Sequence, residues 1–306
     1  MKIIPVFGIF NFEKDIADFL HNAVTGLMQF GIDAYNTFSE RALHFLSMTP
    51  FEVAGKAEHP KTYELFQNIS NGFIDYGTSL VAFFFLLGLY VELRESKFEV
   101  KLESILFDVL KMMLAIYFIR NSFSIIEKFA MKIQTMTSAV IGTDAGSVQL
   151  ELVKKFETNL EDVGAGSSLA LLLFSIVFAG VVIASGVALI MAALKRSFKA
   201  ICIIPWGSLV FSTFAGNHQV SQSAISFIKW TIGTLLEAST MIMALKIVTS
   251  LFNQGDWFII LDGAQFKQLD GFNYCSFWML EKGLLILTLC TTVSGASDLT
   301  HKALAL

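Results

Sequence analysis

Charge is what this sequence lacks. Only 16% of its 306 residues are Asp, Glu, Lys or Arg, against about 25% in soluble domains. Residues 163–194 carry none at all. After Lys195, Arg196 and Lys199 a second charge-free stretch runs to Lys229, interrupted only by the titratable His218. Each run meets the length of about 20 apolar residues that one crossing of a bilayer core requires. The deficit excludes an ordinary soluble domain, and 54% hydrophobic residues with a mean hydropathy of +0.62 agree with that.

Other scarcities exclude whole classes of chemistry. There are three cysteines, Cys202, Cys275 and Cys290, an odd number with two in apolar runs. They read as packing residues, not as a disulfide framework or metal site. The five histidines (21, 44, 59, 218 and 301) are scattered without metal spacing, and no nucleophile elbow, phosphate loop or HExxH occurs. No enzyme activity and no cofactor are expected. A net charge of −4 without a polybasic patch argues against a nucleic-acid-binding surface. The apolar start IIPVFGIF meets Glu13, Lys14 and Asp15 at once, so no cleavable signal is expected and an internal span serves for insertion.

What is present reads as an all-α membrane protein of about six transmembrane helices with amphipathic extracytoplasmic helices. Residues 1–70 form an N-terminal amphipathic region. Within it Phe12, Ile16, Phe19, Leu20, Ala23, Leu27, Phe30, Ala34 and Phe38 recur at spacings of three or four, one apolar stripe on a long helix over 11–48 that is not a span. Pro50 and Pro60 punctuate the loop that follows. Residues 71–120 hold spans one (73–91) and two (104–119). Residues 121–166 form a polar connection with two amphipathic helices, one marked by Ile125, Ile126, Phe129, Ile133, Met136 and Val140, the other by Val148, Leu152, Val153 and Phe156, separated by GTDAG at 142–146. Residues 167–300 hold spans three to six, of which three and four form a hairpin about the basic turn Lys195, Arg196, Lys199. Spans five and six cover about 225–252 and 277–297, the latter with Glu281 and Lys282 near its start.

Cations in short loops set the orientation. With six spans, Arg94, Lys97, Lys101, then the 195–199 turn, then Lys267 fall on the cytoplasmic side, while the loop 216–223 has no Lys or Arg. Both ends are then expected outside.

Four features within the spans bear on function. Gly180, Ala184, Ala188 and Ala192 form a ladder of small residues spaced by four, and Ala179, Gly186 and Ala193 a second set spaced by seven. Such spacings let helices approach closely in lipid, either within the chain or between subunits of a ring. Pro205 and Gly207 interrupt span four, giving either a kink or a broken helix. Asp108 and Lys111, three apart on one face, can neutralise each other. Lys229, Glu237 and Lys246 lie in span five. A charge at mid-span costs about 2.5–3.5 kcal/mol, so Glu237 is either a lumen-lining or proton-relay carboxylate or the structural partner of Lys111 or another cation.

The order of segments resembles a known family. KLESILFDVLKMMLAIYFIRNSFSIIEKF, a long polar connection, then ALKRSFKAICIIPWGSLVFSTFAGNHQVSQSAISFIKWTIGTLLEASTMIMALKI follow one another. Together these resemble the TrbL-like polytopic inner-membrane channel component of conjugative type IV secretion systems, over roughly residues 70–300. The matching points are Lys195, Arg196 and Lys199, then Pro205, the GNHQVSQ turn at 216–222, and Lys229. The resemblance implies no catalytic residue. It implies a multi-copy channel or scaffold subunit in the bacterial cytoplasmic membrane, a homo-oligomer contacting secretion ATPases inside and extracytoplasmic stalk components outside. DNA or protein would be cargo in transit. The alternative is a secondary transporter with Glu237 as its intramembrane carboxylate, which calls for paired broken helices in two halves. Only one Pro/Gly-interrupted span occurs. A small membrane-permeabilising protein fits the length and span number poorly.

Overall fold

Long segments free of proline, built from leucine, alanine, phenylalanine and isoleucine, dictate long helices. The computed structural model describes residues 7–56, 60–95, 102–142, 148–152, 154–253 and 269–303. Among them every regular element is helical: α1 Phe7–Ser47, α2 Pro50–Val53, α3 Pro60–Glu95, α4 Leu102–Ile141, α5 Lys154–Glu161, α6 Ala165–Ile203, α7 Gly207–Phe211, α8 His218–Asn253, α9 Gly271–Ser294 and α10 Ala296–Ala303. Among the described residues five stretches are long and apolar enough to cross a membrane: Pro60–Arg94, Ile105–Ala139, Ala165–Ala215, His218–Asn253 and Gly271–Ser294. The protein is an all-α protein of multi-pass membrane type. At 1.5 Å per residue the 39 residues of α6 extend about 58 Å, nearly twice the ~30 Å hydrocarbon core.

Among the described residues five stretches qualify beside the expected about six, because the expected spans three and four both fall in the one stretch Ala165–Ala215, and the difference lies at the basic cluster. Lys195, Arg196 and Lys199 do not form a turn; α6 passes straight through them. The segment ALKRSFKA has no glycine or proline, and Lys and Arg are strong helix formers. The helix instead loosens at Pro205, where 3-10 turns over Ile204–Trp206 and Ser212–Ala215 flank the five-residue α7. The chain reverses only at Gly216, whose backbone is extended, and Asn217, whose Oδ1 accepts from Val220 N at 3.1 Å to start α8. The expectation that both ends lie outside rested on a turn at 195–199, and that turn is not formed. Lys97, Lys101 and Lys267 lie outside the described residues.

Three expected boundaries fall inside helices, that at 166/167 only two residues into α6. The division at 70/71 lies within α3, and that at 120/121 lies within α4, which joins the second span and the following amphipathic segment. No glycine or proline occurs from Leu102 to Ile141, so nothing breaks the helix at Arg120. Its buried seam continues across that point through Ala115, Ile119, Ser122, Ile126 and Ala130. The helix ends at Gly142, whose φ of 69° is the left-handed conformation that favours glycine.

The chain divides into two compact units with interleaved segments. The first gathers the described parts of residues 1–43, 143–192 and 241–294. Its aromatic centre is Trp278, fully buried, with the rings of Phe156, Phe178 and Phe252 at 5.0, 5.9 and 5.7 Å. The long helix expected over 11–48 is α1, but its buried seam is rotated from the expected stripe. Val24, Met28, Ile32, Tyr35 and Ala42 are fully buried, whereas Phe19 and Phe30 are 71% and 63% exposed. The seam is set by close approach to small residues of α6. A Cβ on Gly31 would lie 3.0 Å from Ala179 Cα, and one on Gly186 would lie 2.9 Å from Phe38 Cδ2. Asn36 then brackets the backbone of Leu150, donating to its carbonyl at 3.0 Å and accepting its N–H at 2.8 Å, which holds the irregular approach to α5. That short helix begins at Lys154 and buries Phe156 and Leu160; Val148 precedes it and is buried outside any α-helix. Val153 lies outside the described residues.

The second unit gathers the described parts of residues 44–142, 193–240 and 295–306. Here α3 and α4 pack side by side and clasp the broken stretch 204–215. Gly77 of α3 makes this possible, because a Cβ there would lie 2.5 Å from the carbonyl oxygen of Ser208. On the other side the Ser208 and Ser122 hydroxyls share a hydrogen bond of 2.7 Å. Val81, Ile119, Phe211 and Ala215 close the core around them. α2 begins with a capping box, Thr49 and Glu52 each taking the other's backbone N–H.

Candidate functional site

Three charged residues, Arg196 and Lys199 of α6 and Glu237 of α8, come together at one place in the second unit. α8 carries Glu237 inward, where it is 2% exposed. Its Oε1 accepts from Lys199 Nζ of α6 at 2.8 Å and from Ser297 Oγ of α10 at 2.7 Å. Lys199 Nζ also donates to Ser297 Oγ at 2.9 Å, so the three groups close a triangle. His301, one turn beyond Ser297, places Nε2 3.5 Å from the same carboxylate oxygen. Its ring stacks on Trp230 with centroids 6.0 Å apart, and Lys199 Nζ lies 5.0 Å from the Trp230 centroid. Thr240 and Thr300 share a further hydrogen bond of 2.9 Å between α8 and α10.

Arg196 lies one helical turn before Lys199 and is 5% exposed. Its Nη2 donates to the Leu235 carbonyl at 2.9 Å and its Nε to that of Thr234 at 3.4 Å. These are acceptors that the α8 backbone already uses once, so the guanidinium docks on the outside of the helix. Its Nη1 is buried without a hydrogen-bond partner among the described residues. The cluster sets one carboxylate against two cations and an imidazole. Removing one member of such a buried set costs about 3–5 kcal/mol, because the partner's charge is left stranded. Glu237 lines none of the four cavities found in this unit. Chemically the arrangement is a clamp that ties α6, α8 and α10 together.

The other singled-out residues lie elsewhere. Asp108 and Lys111 pair at 2.9 Å on α4, with Lys111 Nζ also 5.1 Å from the Phe107 centroid. They line a cleft of about 410 Å³ together with Glu92, Asn217 and His218. Lys246 is half-buried in the part of α8 that belongs to the first unit, and Lys229 is exposed in the second. Lys195 points outward while Arg196 is buried. Pro205 is buried within its 3-10 turn, and a Cβ on Gly207 would approach Ile126 Cδ1 to 3.0 Å. The two small-residue sets separate cleanly. Ala179, Gly186 and Ala193 are buried, whereas Gly180, Ala184 and Ala188 are exposed and Ala192 half-exposed.

Sequence reasoning placed Lys199 and Glu237 in different roles, one in a turn and one alone in a span, and missed Ser297, His301 and Trp230. A signal was present. Ser297 and His301 are four apart and share a face of a short polar helix following the last apolar run. In the first unit Lys282 is fully buried, with Nζ donating to the Leu251 carbonyl at 3.2 Å and lying 5.8 Å from the Phe252 centroid. Among the described residues no three His, Cys, Asp or Glu side chains converge as a metal site, and the three cysteines are free thiols. The chain matches no family model, no curated protein and no solved structure.

Proposed function

We propose that this protein is a structural channel or scaffold subunit of a conjugative type IV secretion machine. It works as several copies in the bacterial cytoplasmic membrane and supports passage of DNA or protein. Secretion ATPases inside and stalk components outside are its partners in this reading. The observation that carries it is the exposure of the Gly180–Ala184–Ala188–Ala192 ladder on α6, while the companion set at 179, 186 and 193 is already buried within the chain. A face of small residues left open lets a second copy approach closely. The segments that resemble the TrbL-like family supply the machine; the ladder supplies the reason for several copies. The closed clamp at Glu237 supports a static role over an ion-coupled one, since a transport carboxylate must be reached from water.

The test is the copy number of the full chain purified in mild detergent, by mass photometry or native mass spectrometry. A closed ring of several copies is expected. A monomer at all concentrations, unchanged in native membranes by crosslinking, contradicts the reading.

A further inference from the structure

The broken stretch 204–215 leaves a groove in the second unit that shares only Trp230 with the clamp. It has a volume of about 730 Å³, and one wall is formed by Ile203, Trp206 and Val210. The other wall is one face of α8: Ser223, Ser226, Phe227, Lys229 and Trp230. Among the described residues Lys229 is the only charged one in the lining. It is exposed and makes no ion pair among the described residues. Trp206 is 53% exposed although it stacks on Phe73 of α3 at 5.5 Å.

The depth of the groove follows from that stacking. Phe73 is the first residue of the apolar run 73–91 of α3. Trp206 is therefore level with the point where α3 enters its apolar run. From there the apolar run of α3 continues past Ser208 and Gly216, which meet Gly77 and Gly88, so Val210, and Phe227 against Phe211, lie on the apolar side of Trp206. Tryptophan and lysine are the side chains that anchor at the headgroup level. The groove thus offers a cation and two indole rims at one end and, away from them, the aliphatic and aromatic surface of Val210 and Phe227.

We infer that this groove binds one anionic phospholipid, its phosphate on Lys229 between Trp206 and Trp230 and an acyl chain along Val210 and Phe227. The charge selects the headgroup, because among the described residues no acidic side chain lines the groove to compensate Lys229. The serines at 223 and 226 offer hydroxyl donors on the same α8 face. One basic side chain near an anionic membrane surface is worth about fivefold in affinity.

The test is native mass spectrometry of the full chain in detergent with phosphatidylglycerol, phosphatidylcholine or inorganic phosphate added. Wild type should retain phosphatidylglycerol about fivefold better than phosphatidylcholine. Lys229→Gln should bind both alike, Lys229→Arg should keep the preference, and inorganic phosphate should not displace the lipid. Equal binding of the two lipids by wild type overturns the inference. So does a preference that survives Lys229→Gln, or a groove occupied by a second copy or a peptide with lipid absent. Lys229 is exposed and outside the clamp, so folding of the variant is not at issue. Copy number is a separate readout and does not enter this test.

Discussion

Glu237 of α8 and Lys199 of α6 meet at 2.8 Å, with Ser297 of α10 bonded to both. The carboxylate is 2% exposed, and its worth is read by removing one partner. Glu237→Gln should lower unfolding stability in detergent by about 3 kcal/mol, because Lys199 and Arg196 lose their counter-charge. Lys199→Met should cost a similar amount. The double variant Glu237→Gln with Lys199→Met should cost clearly less than the sum, read as a double-mutant cycle by thermal unfolding. Additive costs would show that the two do not act as a pair.

Gly77 tests how tightly α3 holds the broken stretch. A methyl group there meets the Ser208 carbonyl, which is backbone and cannot rotate away. Gly77→Ala should destabilise by about 1–3 kcal/mol. Gly72→Ala, five residues earlier with nothing within 4 Å of the new Cβ, should be neutral or stabilise by up to about 1 kcal/mol through helix propensity. Equal effects from the two would contradict the packing described here.

Much of the architecture was legible, and the failures share a cause. The apolar runs announce long helices, and α1 begins and ends near where its periodicity does. What composition cannot report is which residues touch. Phe19 and Phe30 look like core residues and are exposed, while Gly31 and Gly186 define the seam because they let α1 and α6 approach. The cations at 195–199 look like a turn because charge is normally excluded from a span. Their partners lie 38 or more residues away in sequence: Glu237 and Ser297 for Lys199, and the Thr234 and Leu235 carbonyls for Arg196. Buried charges in lipid-facing proteins are found by pairing, and pairing needs the fold.

The ladder on α6 is tested by disulfide trapping. In a Cys202→Ser background, Ala184→Cys and Ala188→Cys should give oxidised dimers in native membranes, since both positions are exposed. Ala179→Cys, which is buried, should not. Dimers at 179 with none at 184 would move any inter-copy contact to another face.

Lys56, in the turn after α2, gives a pH signature through its pair with Glu127 of α4. The Glu127 carboxylate accepts from Lys56 Nζ at 2.5 Å, and this hydrogen bond raises the Lys56 ammonium above its usual range. A raised folded-state value means the contribution is fully present below the unfolded lysine value of about 10.4 and is lost as pH rises through the folded one. Glu127→Gln should therefore flatten the alkaline decline of the melting temperature and leave its neutral-pH shape unchanged. Lys56 is largely solvent-exposed, so the effect is small and best read at low salt.

The most direct measurement is DNA transfer from a donor cell in which the coding sequence is deleted in frame and then restored in trans. The account predicts that transfer falls to background on deletion and returns with the wild-type chain. It also predicts partial return with Glu237→Gln in proportion to the level of folded protein in the membrane. Transfer that continues undiminished after deletion would contradict the secretion-machine role.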